Sequence, residues 1–210
     1  MTERQLSDVR GRLIAFEGGE AAGKSTQARV FAARLGATLT REPGGTALGR
    51  QIRALVLDPS SSAVGARAEA LLLAADRAQH VDEVVIPALE AGCDVVTDRF
   101  SGSTFAYQGW GRGLDLEGLR ILSSWAAGGL EPDLVVLLNV PPEVANSRLA
   151  SSHPDRLEAL GEGFHSRVAE GYRALAASDP ERWIVVDGAG DVDEVADRVW
   201  RVYETWCGRP

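Results

Sequence analysis

The chain has 210 residues, 45% hydrophobic and 25% charged, with a formal net charge of −8; this is the balance of one folded domain rather than of a disordered chain. That acidic balance argues against a nucleic-acid groove, which needs clustered cations, yet a small phosphorylated ligand needs only a few well-placed arginines and lysines. No apolar run approaches the ~20 residues that span a bilayer, and two distant cysteines, Cys93 and Cys207, suggest neither a disulfide framework nor a zinc site, so a cytoplasmic location is expected.

Residues 1–11 are polar, lack the apolar stretch of a secretory signal, and read as a flexible tail before a single domain over 12–210. A short buried strand is predicted at 13–16, then a helix over 24–35 and a second strand at 37–40. A helix over 46–57 follows, then a long one over 67–90 in which Pro87 predicts a kink or break. The third strand is predicted at 94–97, a helix at 116–127 and the fourth strand, LVVLL, at 134–138. Pro141-Pro142 suits the start of a helix over 142–150, because an N–H missing from the first turn costs little. A helix over 156–177, a fifth strand at 183–186 and a helix over 192–206 complete the pattern. Near-continuous apolar strands alternating with helices predict an α/β domain with a doubly wound parallel sheet. Ligands then belong beyond the carboxyl ends of the strands.

The segment between the first strand and first helix reads GGEAAGKST. Gly18 to Ser25 fit G-x-x-x-x-G-K-S/T without a mismatch, in the strand-to-helix context that this phosphate loop requires. Small residues at Gly18, Gly19, Ala21, Ala22 and Gly23 let the backbone N–H groups converge on phosphate oxygens, aided by the helix N-terminus. Lys24 then reaches the β- and γ-phosphates, Ser25 ligates Mg²⁺, and Glu20 and Thr26 complete the ATP-binding loop. The alternative, a glycine-rich turn with a surface lysine, does not account for the full spacing.

Further along, REPGG stands at 41–45, Arg53 and Arg77 lie on predicted helices, and DRFSGSTFAYQG stands at 98–109. One arginine alone reads as a solvated surface residue; several at one strand-end edge read as an anion site. With DRLE at 155–158, these segments make the chain resemble the thymidylate kinase family from about Arg12 to Trp206, in its bacterial type without a basic residue in the phosphate loop. The resemblance implies a P-loop nucleoside-monophosphate kinase fold with a five-stranded parallel sheet and helices on both faces. It also implies a short mobile lid at about 146–157, a homodimer, and Mg²⁺-dependent phosphorylation of dTMP to dTDP by ATP, in dTTP biosynthesis.

By motif position, Arg53, Arg77 and Arg99 resemble the family's contacts to dTMP, with Arg99 best placed to bridge the transferring phosphoryl group. Glu20 resembles the acidic position that approaches the deoxyribose 3′-hydroxyl, and Tyr107 the aromatic beneath the sugar. Ser103, Thr104 and Gln108 are candidate partners of the base edge, although loop capping is an equal reading of Ser103 and Thr104. Asp98 either holds Mg²⁺ or orients Arg99. Lys24, Arg99 and a lid arginine supply the stabilisation of transferred charge, with no covalent intermediate.

Three positions depart from the family pattern. Leu73 stands where a Phe usually stacks on thymine, so that ring contact is absent and dUMP remains a rival acceptor. Phe100 replaces the commoner Tyr. Asn139 stands where relatives often carry Asp, and reads as a turn residue. In the lid, Arg148 is the preferred catalytic arginine; Arg156 is assigned to ATP as well, with pairing to a nearby carboxylate as its alternative. His80 and His165 read as polar-face residues, and His153 as solvent-facing. An apolar stripe over 71–85 is either the dimer face or core. A GTP-driven switch protein fits poorly, since no NKxD-like segment follows a late strand.

Overall fold

The structure, a computed structural model, describes residues 10–59, 64–149 and 155–208. In chain order its elements are β1 (Leu13–Glu17), α1 (Lys24–Leu35), β2 (Thr38–Arg41), α2 (Ala47–Leu57) and α3 (Ala66–His80). A π-helical turn (Val81–Val85) carries α3 into α4 (Ile86–Glu90), followed by β3 (Val95–Asp98), α5 (Ser101–Thr104) and a second π-helical turn (Phe105–Gly111). Then come α6 (Leu116–Ala126), β4 (Leu134–Asn139), α7 (Pro142–Leu149), α8 (Glu162–Ser178), β5 (Trp183–Asp187) and α9 (Val192–Cys207). Among the described residues the five strands form one parallel sheet, ordered β2-β3-β1-β4-β5. No helix among them is long and apolar enough to cross a membrane.

Strand alternation splits the core in two. Ile14 and Phe16 of β1 face one side with Val96, Leu134 and Val136, where α1 and α9 cover them. Phe31 of α1 anchors that layer, its ring 5.5 Å from Phe16 and 5.1 Å from Tyr203. Leu13 and Ala15 face the other side, against Val81, Val85 and Leu89 of the long helical rod. Each such buried side chain contributes ~1.5–3 kcal/mol, which is why strands covered on both faces read as continuous apolar runs. A third cluster joins Tyr107 and Leu137 to Phe164, Val168 and Tyr172 of α8, beneath the strand ends.

Helix starts separate structural from available N–H groups. Thr46 caps α2, Asp115 caps α6, and Asp191 with Glu194 forms a reciprocal capping box on α9. The start of α1 has no side-chain cap; Gly23 precedes it in the left-handed region (φ 93°), so its first N–H groups stay open to a ligand.

Four details differ from the sequence reading. The rod over 66–90 does not break at Pro87; it widens one turn earlier, and the Ile86 N–H donates to Val81 O. Pro87 offers no N–H and its ring crowds the carbonyl four residues back, so the wider turn accommodates it. Residues 101–111, to which no helix was assigned, are helical despite three glycines. Tertiary contact explains them: a Cβ on Gly102 would lie 2.6 Å from Trp183, and one on Gly111 2.5 Å from Phe164. The helix expected from residue 156 starts at Glu162, because the Asp155 carboxylate accepts the Leu157 and Glu158 N–H groups in a turn. His80 sits on no polar face; it is wholly buried between Glu42 and Thr40. The first nine residues, Ala150 at the end of the helix expected over 142–150, and 150–154 of the expected lid, His153 included, lie outside the described residues. Arg10 and Gly11, assigned to the tail, are tied down: Arg10 pairs with Asp133, and Gly11 N–H donates to Leu89 O.

Candidate active site

The β1–α1 loop wraps closely against the sheet. Gly18 adopts φ 145°, and a Cβ there would lie 2.5 Å from Leu138 O, so only glycine lets the loop leave the strand at that point. Lys24 is buried, its Nζ donating to Gly19 O at 2.6 Å. Burial, then the nearby Arg99 charge, pushes the Lys24 ammonium down to about 8. Ser25 Oγ makes a short hydrogen bond to Asp98 Oδ2 at the end of β3. Asp98 Oδ1 is buried without a partner among the described residues.

Arg99 follows Asp98 in the left-handed region (φ 73°), a conformation that costs a non-glycine residue ~1–2 kcal/mol. The strain aims its guanidinium back across the strand tips. Nη1 donates to Ser103 Oγ, Tyr172 Oη and Gly18 O; Nη2 donates to Glu20 Oε1 at 2.8 Å and Tyr107 Oη at 3.1 Å. Tyr107 also donates to Glu20. Burial alone would raise the Glu20 carboxyl, but the Arg99 and Lys24 charges outweigh it and hold it at about 2. Glu17, wholly buried at the end of β1, accepts from Phe100 N, Ser103 N, Ser103 Oγ and Tyr172 Oη. That carboxylate ties α5 and α8 to the strand that carries the loop.

A cleft of about 430 Å³, with Glu20, Ser103 and Tyr107 in its wall, runs from Lys24, Ser25 and Thr26 past Arg99 to Arg53 and Arg77. Arg53 donates to Pro43 O and has no carboxylate partner among the described residues. Burial and its neighbour Arg41 both disfavour its charge, so this end attracts an anion. Arg77 is buried and hydrogen-bonded to Glu42, Ser123 and Thr104, with its guanidinium 5.2 Å from the Phe100 ring. Leu73, Ser103, Thr104, Tyr107 and Gln108 complete this end. Asp76 also lines it: Oδ1 accepts from Gly44 N, Oδ2 has no partner among the described residues, and burial beside Glu42 raises the carboxyl to about 6.

A second cavity of about 330 Å³ lies on the far side of the loop, between Ala22 and Thr26 and the glycines 188 and 190 after β5. Arg148 of α7 bridges the two cavities, donating to Ala21 O, Gly188 O and Gly190 O. Arg156 stands apart from it: its Nε donates to Val56 O and its far nitrogen to Glu69, a carboxylate partner of the kind the sequence offered as the alternative to ATP. The physical reason is Glu69, a carboxylate wholly removed from water, which draws cations to itself. Gly18 and Gly19 have their carbonyls engaged by Arg99 and Lys24 and offer only their N–H groups.

The chemistry of Ser25 and Asp98 fits Mg²⁺: two hard oxygen donors side by side, one carboxylate oxygen left over, at the foot of a phosphate loop. No cluster of three or more His, Cys, Asp or Glu residues among the described residues points to another metal.

A family profile described as thymidylate kinase matches residues 16–199. A thymidylate kinase from Synechococcus sp. (strain JA-2-3B'a(2-13)) is 50% identical over 198 residues, covering 91% of this chain and 93% of that protein. One from Desulfovibrio desulfuricans is 48% identical over 209 residues, with 93% and 96% covered, and one from Cutibacterium acnes is 47% identical over 194 residues, with 90% and 94% covered. The chain belongs to the thymidylate kinase family. It is a kinase that moves a phosphoryl group from ATP to dTMP, giving dTDP.

With the family established, several residues that the sequence reading gave no role gain a place. Arg41 and Glu42 line the cleft, Tyr172 accepts from Arg99 and donates to Glu17, and the glycines after β5 border the second cavity. The rule that ligands gather at strand ends would have found the DGAGD segment at 187–191 and Glu17. Tyr172, far along α8, has no local signal.

Proposed function

We propose that the large cleft holds dTMP and the transferring phosphoryl group, and that the second cavity takes the base end of ATP. The supporting observation is the continuous cationic path from Lys24 through Arg99 to Arg53, with Arg148 at the divide. Phosphoryl transfer is limited by alignment and by charge on the transferred group, so fixed cations are what the reaction asks of the protein. Lys24 and the open N–H groups of α1 hold the donor phosphates. Arg99 bridges donor and acceptor, and Arg53 holds the acceptor phosphate. Arg77, Thr104 and Gln108 meet the base edge, Leu73 packs on its face, and Glu20 with Tyr107 borders the sugar. Mg²⁺, held by Ser25 and Asp98, would neutralise donor-phosphate charge when bound. No general base is needed, because the acceptor phosphate is already a dianion at neutral pH.

Arg148 tests this arrangement. Its three partners are backbone carbonyls near the surface, so it is free to turn to phosphate at little cost. Arg148→Ala is expected to raise the ATP Michaelis constant and lower kcat about tenfold. Unchanged values of both would remove Arg148 from the donor site.

We also assign the enzyme to the cytoplasm and to a homodimer. Leu71 of α3 and Ile121 and Trp125 of α6 are 59%, 64% and 82% exposed on two helices that pack together, an apolar face suited to a second copy. Sedimentation of a monomer at micromolar concentration would remove the dimer.

A further inference from the structure

Gln108 is buried at the wall of the acceptor cleft, and its two amide ends are treated differently. Nε2 donates to Glu69 Oε1 at 2.8 Å, while Oε1 has no partner among the described residues. Glu69 lies behind it on α3, outside the cleft lining and wholly buried. Its carboxylate also receives Arg112 Nε and Nη2 and the Arg156 guanidinium. Burial would raise its carboxyl, but the hydrogen bonds from Arg112, Gln108 and Arg156 hold it below the ordinary value, so it accepts hydrogen bonds only. A flipped Gln108 would set its carbonyl against that carboxylate, two acceptors face to face with no proton between them.

We propose that Glu69 is a positioning residue for base selectivity, fixing the Gln108 amide so that its carbonyl oxygen alone is offered to the acceptor base. The inference rests on the cleft being the acceptor site. A base with a ring N–H at position 3, as in thymine or uracil, can satisfy that buried oxygen. Cytosine carries an acceptor there and leaves both groups unpaired. Leu73 packs without distinguishing hydrogen-bond patterns, so polar selection falls to Gln108 and Arg77. Arg112 and Arg156 neutralise the carboxylate that makes the orientation obligatory.

The test is Glu69→Gln, assayed with ATP and Mg²⁺ against dTMP, dUMP and dCMP. A neutral amide can donate or accept, so Gln108 is released to turn. The Michaelis constant for dTMP rises, that for dCMP falls, and the dTMP-to-dCMP ratio of kcat/KM drops about tenfold or more. In a Gln108→Met background the same substitution has no further effect on the ratio. Should Glu69→Gln fail to fold, Glu69→Asp carries the test, since the shorter acid draws back from Gln108 and must also lower the ratio. A folded variant whose ratio is unchanged, or whose rates fall equally for all acceptors, overturns the inference and leaves Glu69 as a brace. If wild-type enzyme fails to take dTMP, the acceptor-site reading itself falls, and this inference with it.

Discussion

Arg99→Ala is expected to lower kcat for dTMP by about two to three orders of magnitude while moving either Michaelis constant far less. The side chain stands where the loop, β3, α5 and α8 meet, and every partner it has belongs to a group beside the cleft. A backbone in the left-handed region at this position is tolerated because Glu17 and Glu20 over-determine the surroundings. The guanidinium is therefore fixed before substrate arrives, and fixed charge stabilises a transition state without reorganising. Arg99→Lys keeps the charge but not the planar fork, and should recover no more than about tenfold. Arg99→Ala also strips Glu20 of its main counter-charge. The Glu20 carboxyl, held at about 2, then moves upward, and the pair's loss costs about 3 kcal/mol of stability at neutral pH. In the intact protein that contribution is present above the ordinary Glu value and is lost as pH falls through about 2. Coupled ADP release gives the rate and thermal melting the stability; a rate within tenfold of wild type contradicts the role.

Lys24→Ala carries the second large effect, a loss of about a hundredfold or more in kcat, with weaker ATP binding. Among the described residues the buried ammonium has one hydrogen-bond partner, the neutral Gly19 O, and it sits beneath the open start of α1. Phosphate oxygens complete its coordination and raise its proton affinity. The pH dependence follows in sign. Free enzyme holds Lys24 protonated below about 8; above that value it loses the charge, and binding ATP must restore a proton. ATP affinity should be flat below pH 8 and weaken by up to about tenfold per unit above it. Lys24→Arg should flatten that slope, because a guanidinium stays charged. Calorimetry of ATP binding from pH 7 to 9.5 reads both. A slope that survives in Lys24→Arg assigns the titration to another group.

What the sequence made legible had local causes. The phosphate loop is a spacing of residues with small or absent side chains, and Gly18 shows why, since a Cβ there meets Leu138 O. The inner strands were legible because burial on both faces leaves few residue types available at 13–16 or 134–138, whereas the edge strands β2 and β5 are partly exposed. Where contacts come from far along the chain, local pattern gave no warning. The helical run over 101–111 violates glycine propensity, yet Trp183 and Phe164 require those glycines. Arg156 carries the same side chain as Arg148; only the fold shows that a buried Glu69 lies within its reach. His80 looked amphipathic for the same reason, its partners Thr40 and Glu42 standing 40 and 38 residues away in sequence.

An acceptor panel tests most directly whether one cationic path grips ATP and a pyrimidine deoxynucleotide together. Purified enzyme with ATP and Mg²⁺ should phosphorylate dTMP first, dUMP more slowly, and dCMP, dGMP and dAMP least, as read by coupled ADP release. A panel in which dTMP stays unphosphorylated, or a purine nucleotide is preferred, would contradict it.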